Sequence, residues 1–308
     1  MALSSDSARS RRPVVLCAGI AVEDFIFKVE RFPQPGEKAQ ASTLIATAGG
    51  CAANAAIAVS RLGGEARFSG PIGTDGASNR FLTSLARDHV DASHVERVDG
   101  GSISVSGIMI DATGEKLVAT RHGERLGDAR PRDPAALVAD VDIVMADNRF
   151  PDFVRPILQA AIDRRIPAVL DGDRATTPDD PLLAIATHVI FSAEALRATT
   201  RLDDIADALA LIARVAPGFL AATNGPDGVL WLENGRPRRL AAFPIEAVDA
   251  LGAGDTFHGA FALALAEGCD LNRAMRFAAA AAALKCTRFG GISGTPTRLD
   301  VDAFLAHR

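Results

Sequence analysis

The stretch Val248-Asp249-Ala250-Leu251-Gly252-Ala253-Gly254-Asp255-Thr256-Phe257-His258-Gly259-Ala260 carries the sharpest chemical signal in the chain. A Gly-Ala-Gly turn opens a helix whose first residue is an acid. A helix N-terminus offers unpaired N–H groups and a partial positive charge. Glycines let that backbone approach an anion closely. A carboxylate placed there can take a proton from a hydroxyl while the N–H groups hold charge developing on a phosphoryl group. Simple helix capping by the same acid is an equal alternative on this stretch alone.

Two further stretches carry weaker signals. In Ala48-Gly49-Gly50-Cys51-Ala52-Ala53-Asn54-Ala55-Ala56, a Gly-Gly pair precedes a helix of small residues with one polar side chain, Asn54. That pattern lets a polyol approach the backbone, and it equally suits close helix packing. Thr223-Asn224-Gly225-Pro226-Asp227-Gly228 follows an apolar run and could hold phosphates, although an ordinary tight turn accounts for it as well. The chain has neither a GxxxxGK[ST] loop nor a GxGxxG fingerprint. His258, one helical turn after Asp255, reads as a packed neighbour of the acid rather than a proton shuttle. The 6 histidines show no metal-ligand spacing, and the 4 cysteines (Cys17, Cys51, Cys269, Cys286) show no CxxC pair, so they read as buried reduced thiols.

The elements that must position these residues follow from the apolar pattern. Runs at 13–19, 143–147, 168–171, 188–191 and 219–223 read as buried strands. Helical periodicity covers 152–165, 203–215, 255–267 and 272–285. Buried strands alternating with helices predict an α/β fold with a mostly parallel sheet covered on both faces. Ligands then bind beyond the carboxyl ends of the strands, several of which end in Asp, Thr or Gly. Residues 20–48 and 101–122 break the rhythm. A hairpin over 102–120 and a strand over 22–29 predict a small antiparallel sheet standing off the main body. The expected organisation is a floppy arm over 1–12 and one α/β domain over 13–308.

The chain has 308 residues, of which 48% are apolar and 23% charged, which excludes disordered and collagen-like classes. The net charge of −5 gives no basic field for nucleic acid or an anionic membrane. The N-terminus lacks an apolar secretory core, and no apolar run is long enough to span a bilayer. These features predict a soluble, cytoplasmic protein.

Taken in order, the motifs resemble those of the PfkB, ribokinase-like carbohydrate kinases. Gly49-Gly50 with Asn54 resembles the N-terminal signature, and Gly70-Pro71-Ile72-Gly73-Thr74-Asp75 its continuation. Asp249 with Gly252-Ala253-Gly254-Asp255 resembles the C-terminal signature. The resemblance implies a ribokinase-like fold with a β lid, which often also forms a dimer interface. It implies that Asp255 deprotonates the acceptor hydroxyl and that the backbone of Gly252, Ala253 and Gly254 forms the anion hole. Asp24, Gly49, Gly50 and Asn54 would hold the sugar, and Thr223, Gly225, Gly228 and Glu194 the nucleotide. ATP with Mg2+ would be the donor, and a monovalent cation, potassium, is a candidate for the loop of Asp249. Three positions depart from the pattern: Phe191 and Ala279 stand where the family has Asn, and Val22 where ribokinases place a sugar-contacting Asn.

Longer stretches, among them 170–173, 231–235 and 283–288, resemble the bacterial 6-deoxy-6-sulfofructose kinases of sulfoquinovose breakdown. In that resemblance Lys38 and Arg149 match the cations that hold the sulfonate, by charge-assisted hydrogen bonds. Thr120 stands where those enzymes place an Asn. The expected activity is ATP-dependent phosphorylation of a primary hydroxyl, that of an anionic ketose such as 6-deoxy-6-sulfofructose. The alternatives are a kinase for fructose, 2-keto-3-deoxygluconate, fructose 6-phosphate or a nucleoside, and a sugar- or nucleotide-binding regulator without catalysis.

Overall fold

Each apolar run of the large sheet alternates its side chains between two cores, as a strand covered on both faces must. Val15, Cys17, Met145 and Ile190 enter one core with the Ala-rich helices of the N- and C-terminal thirds. Val14, Leu16, Val144 and Val189 enter the other with the helices of the middle. The structure is a computed structural model describing residues 11–308. The arm expected over 1–12 therefore lies outside the described residues, apart from Arg11 and Arg12. Arg11 forms an ion pair with Asp142 at 2.9 Å.

The first half of the chain runs β1 (Val14–Ala18), β2 (Val22–Lys28), β3 (Thr43–Gly49), α1 (Cys51–Arg61), β4 (Glu65–Ser69), β5 (Pro71–Gly73), α2 (Gly76–Arg87), β6 (Glu96–Val98), β7 (Ser104–Ile110) and β8 (Lys116–Arg121). The middle follows with α3 (Pro134–Leu137), β9 (Ile143–Asp147), α4 (Pro151–Asp163), β10 (Ala168–Gly172), α5 (Pro181–Ile185), β11 (His188–Ser192), α6 (Ala193–Thr200) and α7 (Ile205–Ile212). The last part holds β12 (Phe219–Thr223), β13 (Val229–Glu233), β14 (Arg236–Leu240), α8 (Ala253–Ala266), α9 (Leu271–Cys286) and α10 (Arg298–Ala306).

One sheet has the order β14-β13-β12-β11-β10-β9-β1-β4. It is parallel from β4 to β12 and antiparallel at β13 and β14. The expected α/β architecture is thus present, and the five expected strands form its centre. Helix boundaries differ from the periodicity by a few residues. Helix α8 starts at Ala253 rather than Asp255, because Gly252 takes the left-handed N-cap conformation (φ 78°) and the turn closes earlier.

The smaller sheet has the order β3-β2-β7-β8. Its outer pairs are antiparallel and its central pair, β2 with β7, is parallel. The parallel pair arises because the two strands come from separate excursions out of the body. Ile26, Ile108 and Ile110 face Leu251 and Phe289 of the body. By alternation Phe27, Leu44, Met109 and Leu117, which lie in one register row, face outward. No helix among the described residues is long and apolar enough to cross a membrane.

Candidate active site

Among the described residues, seven of the ten helices begin at a residue whose side chain caps them, among them Asp75, Ser192, Asp204, Asp270 and Thr297. Helices α1, α4 and α8 do not. Their N-termini, at Gly50, Phe150 and Gly252, lie next to the residues that gather at the carboxyl edge of the large sheet. An N-terminus without a side-chain cap keeps its N–H groups free for a ligand.

The centre is Asp255, in the first turn of α8. Its Oδ2 accepts a hydrogen bond from Asn54 Nδ2 at 2.6 Å, across 201 residues of chain. The approach of α1 to α8 depends on small side chains: a Cβ on Gly259 would lie 2.5 Å from the Ala55 backbone oxygen. Burial raises Asp255 to about 6, the Asn54 bond opposes that shift, and the charges of Asp173 and Asp147 reinforce it. A carboxylate of that pKa is ionised at neutral pH and takes a proton readily. The N–H groups of Gly254 and Asp255 make no hydrogen bond among the described residues. That of Ala253 turns back to Ala250 O at 3.2 Å. Of the expected anion-hole residues, Ala253 thus spends its N–H on closing the tight turn.

Three acids at strand ends surround this centre. Asp147, 1% exposed, ends β9, and its Oδ2 accepts from the N–H groups of Ile20 (2.8 Å) and Ala52 (3.1 Å). It thereby fixes the end of β1 and the start of α1. Asp171 is the penultimate residue of β10, and neither of its buried oxygens has a hydrogen-bond partner among the described residues. Burial, reinforced by the neighbouring acids, lifts it well above the carboxylate range, so it holds its proton. His258 Nε2 stands 3.5 Å from Asp171 Oδ1. Burial lowers the histidine's pKa, opposed by its contacts with the Gly254 and Ile190 carbonyls. His258 Nδ1–H donates to Gly254 O at 2.8 Å, which makes the ring a brace for the α8 turn. Asp173 pairs with Arg149 at 2.5 Å. The sequence signal for these acids was the recurrence of Asp at strand ends, but pattern alone could not show that they converge. Cys51 also converges: its sulfur, Asp171 and Asp255 each offer an atom within 4.8 Å of the others. Burial and the surrounding carboxylates raise the Cys51 thiol well above its ordinary value, so it stays protonated.

The lid presents a second polar row. Asp24 on β2 is in register with Ser106 on β7, and Ser106 with Thr120 on β8. Ser106 Oγ and Thr120 Oγ1 are 3.1 Å apart. Asp24 is 8% exposed, and burial raises it to about 6 against an opposing bond from Ser106. A Cβ on Gly49 would lie 2.0 Å from Asp24 Oδ2, so the first glycine of the pair exists to admit this carboxylate. Val22 opens the same strand, 8% exposed. Lys38 stands in the exposed loop between β2 and β3 and makes no hydrogen bond or ion pair among the described residues. The structure does not bring it to the cluster.

The Thr223 stretch ends β12 and turns into β13 through a short helical turn over Gly225–Asp227. Gly225 and Gly228 have positive φ, 51° and 87°. Glu194 is exposed in the first turn of α6. Mg2+ keeps most of its coordination to phosphates and water and takes one or two carboxylates, so an exposed acid here suits it. Phe191 is 0% exposed and packs over Gly172, where a Cβ would lie 2.6 Å from its ring. The position that departs from the family Asn has become core. Ala279 lies on α9, partly buried against the first core.

Comparison with known proteins agrees with this geometry. Residues 13–298 match the family described as pfkB family carbohydrate kinase. The ribokinase of Bacillus subtilis is 29% identical over 286 residues, covering 92% of this chain and 96% of the relative. A solved Agrobacterium tumefaciens structure, assigned as a ribokinase only provisionally, is 36% identical with a TM-score of 0.92. It covers 96% of this chain and 98% of its own. The Arabidopsis thaliana ribokinase solved with ribose and ATP is 27% identical with a TM-score of 0.80, covering 96% and 99%. With the Asp255 turn, the Asn54 contact and the two sheets in place, this chain belongs to the pfkB family of carbohydrate kinases, ATP-dependent phosphotransferases.

Proposed function

We propose that the chain transfers the γ-phosphoryl group of ATP to a primary hydroxyl of an anionic ketose such as 6-deoxy-6-sulfofructose, giving the 1-phosphate. The observation that carries the transfer chemistry is the half-buried Asp255 carboxylate, held by Asn54 at 2.6 Å beside the free N–H groups of the α8 turn. Asp255 takes the hydroxyl proton. The N–H groups of Gly252, Gly254 and Asp255 then receive charge developing on the phosphoryl oxygens. Glu194 would help to hold Mg2+ at the phosphates, where the ion would supply neutralising charge. Asp24, Gly49, Gly50 and Asn54 orient the sugar, and Thr120 extends that row. Thr223, Gly225 and Gly228 hold the nucleotide. Lid closure excludes water, and the outward apolar row of Phe27, Leu44, Met109 and Leu117 supports a homodimer through the lid.

Arg149 supports an anionic tail, because a half-buried guanidinium beside the acceptor site binds sulfonate, phosphate or carboxylate by paired N–H donors. Its bond to Asp173 at 2.5 Å favours a second reading, in which the arginine is a structural partner and the sugar is neutral. The test is ADP release from MgATP with 6-deoxy-6-sulfofructose, fructose 6-phosphate, 2-keto-3-deoxygluconate, fructose, ribose and adenosine. Preference for the sulfonate sugar supports the first reading, and turnover with neutral sugars alone supports the second. Silence with all six overturns both substrate assignments.

A further inference from the structure

Lysine is almost never fully buried without a partner. Lys285, in the last turn of α9, is 0% exposed. Its Nζ donates to the backbone oxygen of Asp249 at 2.7 Å and lies 3.2 Å from Asp249 Oδ2. Asp249 is itself 2% exposed. Its Oδ1 accepts from Leu251 N–H at 2.8 Å, and its Oδ2 from the N–H groups of Gly290 (2.9 Å) and Gly291 (2.8 Å). The preceding backbone is tied to the same helix end, since the N–H groups of Val248 and Asp249 both donate to Cys286 O, at 2.7 and 3.0 Å. All of these bonds meet three residues before Gly252, where the phosphoryl-binding turn begins.

The family resemblance implies a monovalent cation at this loop, and the residues present do not fit one. Every oxygen of Asp249 is already engaged, the carboxylate by three N–H donors and the nearby ammonium, the carbonyl by the ammonium. A second cation beside a buried ammonium would also be repelled. We propose that Lys285 is a built-in cation. Its ammonium holds the Asp249 loop, and through it the Gly252–Asp255 turn, in the geometry that receives phosphoryl charge, so turnover needs no free monovalent ion. Burial lowers the Lys285 pKa, while Asp249 and, at longer range, Asp255 stabilise its charge. Lys285 touches no substrate and acts as a positioning residue.

The proposal rests on the kinase reading of the turn, and its test separates the two. Thermal melting needs no acceptor sugar, so it reports cation binding whatever the substrate is. For the wild-type protein, the melting midpoint and, with any active acceptor, kcat are expected to stay the same in potassium, sodium and tetramethylammonium salts. Lys285→Ala opens an ammonium-sized space. The expected result is a loss of about ten-fold or more in kcat, a lower melting midpoint, and partial recovery of both specifically with potassium or ammonium ions. Activation of the wild type about ten-fold or more by potassium would overturn the proposal. So would a folded Lys285→Ala variant with full turnover and no response to cations. If Lys285→Ala fails to fold, the wild-type salt series alone decides.

Discussion

The carboxyl edge of the large sheet and the four-stranded lid both present polar residues, yet they are built in opposite ways. At the edge, Asp147, Asp171 and Asp249 are 1%, 1% and 2% exposed, and neighbouring backbone or a buried lysine fixes two of the three. In the lid, every residue of β8 is exposed, and Leu44 and Leu117 are 56% and 53% exposed. The edge is a rigid frame whose geometry is set by burial. The lid is a thin surface with Asp24 and Thr120 on one side and an apolar row on the other. Phosphoryl transfer needs fixed donors and a fixed base, which the edge supplies. Sugar selection needs a surface that meets the substrate, and the proposed function gives that task to the small sheet.

The sharpest challenge to that division is Asp255→Asn. The carboxamide keeps the shape and the contact region of Asn54 but cannot accept the proton. Turnover is expected to fall about 10²–10⁴-fold with the fold intact by circular dichroism, and near-normal turnover would remove the base from the frame. Arg149→Ala comes next. With an anionic acceptor, kcat/KM is expected to drop about 10–100-fold, the loss of one charge-assisted contact. Neutral sugars would change little. An equal loss with both kinds of sugar would mean that the arginine serves the frame through Asp173.

The pH profile tests the two regions together. Below about pH 6, where Asp255 and Asp24 take up protons, kcat/KM is expected to fall, by about ten-fold per pH unit if one ionisation dominates. Asp24→Asn removes the lid's contribution and leaves the acid limb to Asp255. The same variant reads stability. A carboxyl whose folded pKa is raised holds its proton more tightly in the folded state. Relative stability is therefore greatest below the unfolded value and is lost as pH rises through about 6. Asp24→Asn is expected to stabilise the protein above pH 6 by about 1–3 kcal/mol, measured by urea unfolding at several pH values. The smallest effect on chemistry is expected from Leu117→Lys, which breaks the outward apolar row. Sedimentation should show a shift toward monomer, with kcat changed by less than about two-fold.

Most of the frame was legible in the sequence. The apolar runs located the five central strands, and the Gly-Ala-Gly-Asp turn located the start of α8 and its acid, because both are local patterns. The participation of Asp147, Asp171 and Asp173 was not, since they come from β9 and from β10 with the residue just after it, and only the parallel pairing of these strands brings them to one edge. Strand β3 was also hidden: Thr43–Gly49 is half exposed, so its pattern lacks the alternation that marks a strand. Phe191 read as a departure from the nucleotide site. Gly172, facing it on the next strand, shows instead that the two positions form one packing unit.

The contact between Asn54 and Asp255 joins residues separated by 201 positions. A chain made from its N-terminus has the lid and the Asn54 helix long before it has a base. Domains tend to fold as units, and contacts this distant form late. A nascent or truncated chain ending before α8 therefore carries Asn54 and the small sheet without Asp255, and this contact forms only once most of the chain is present.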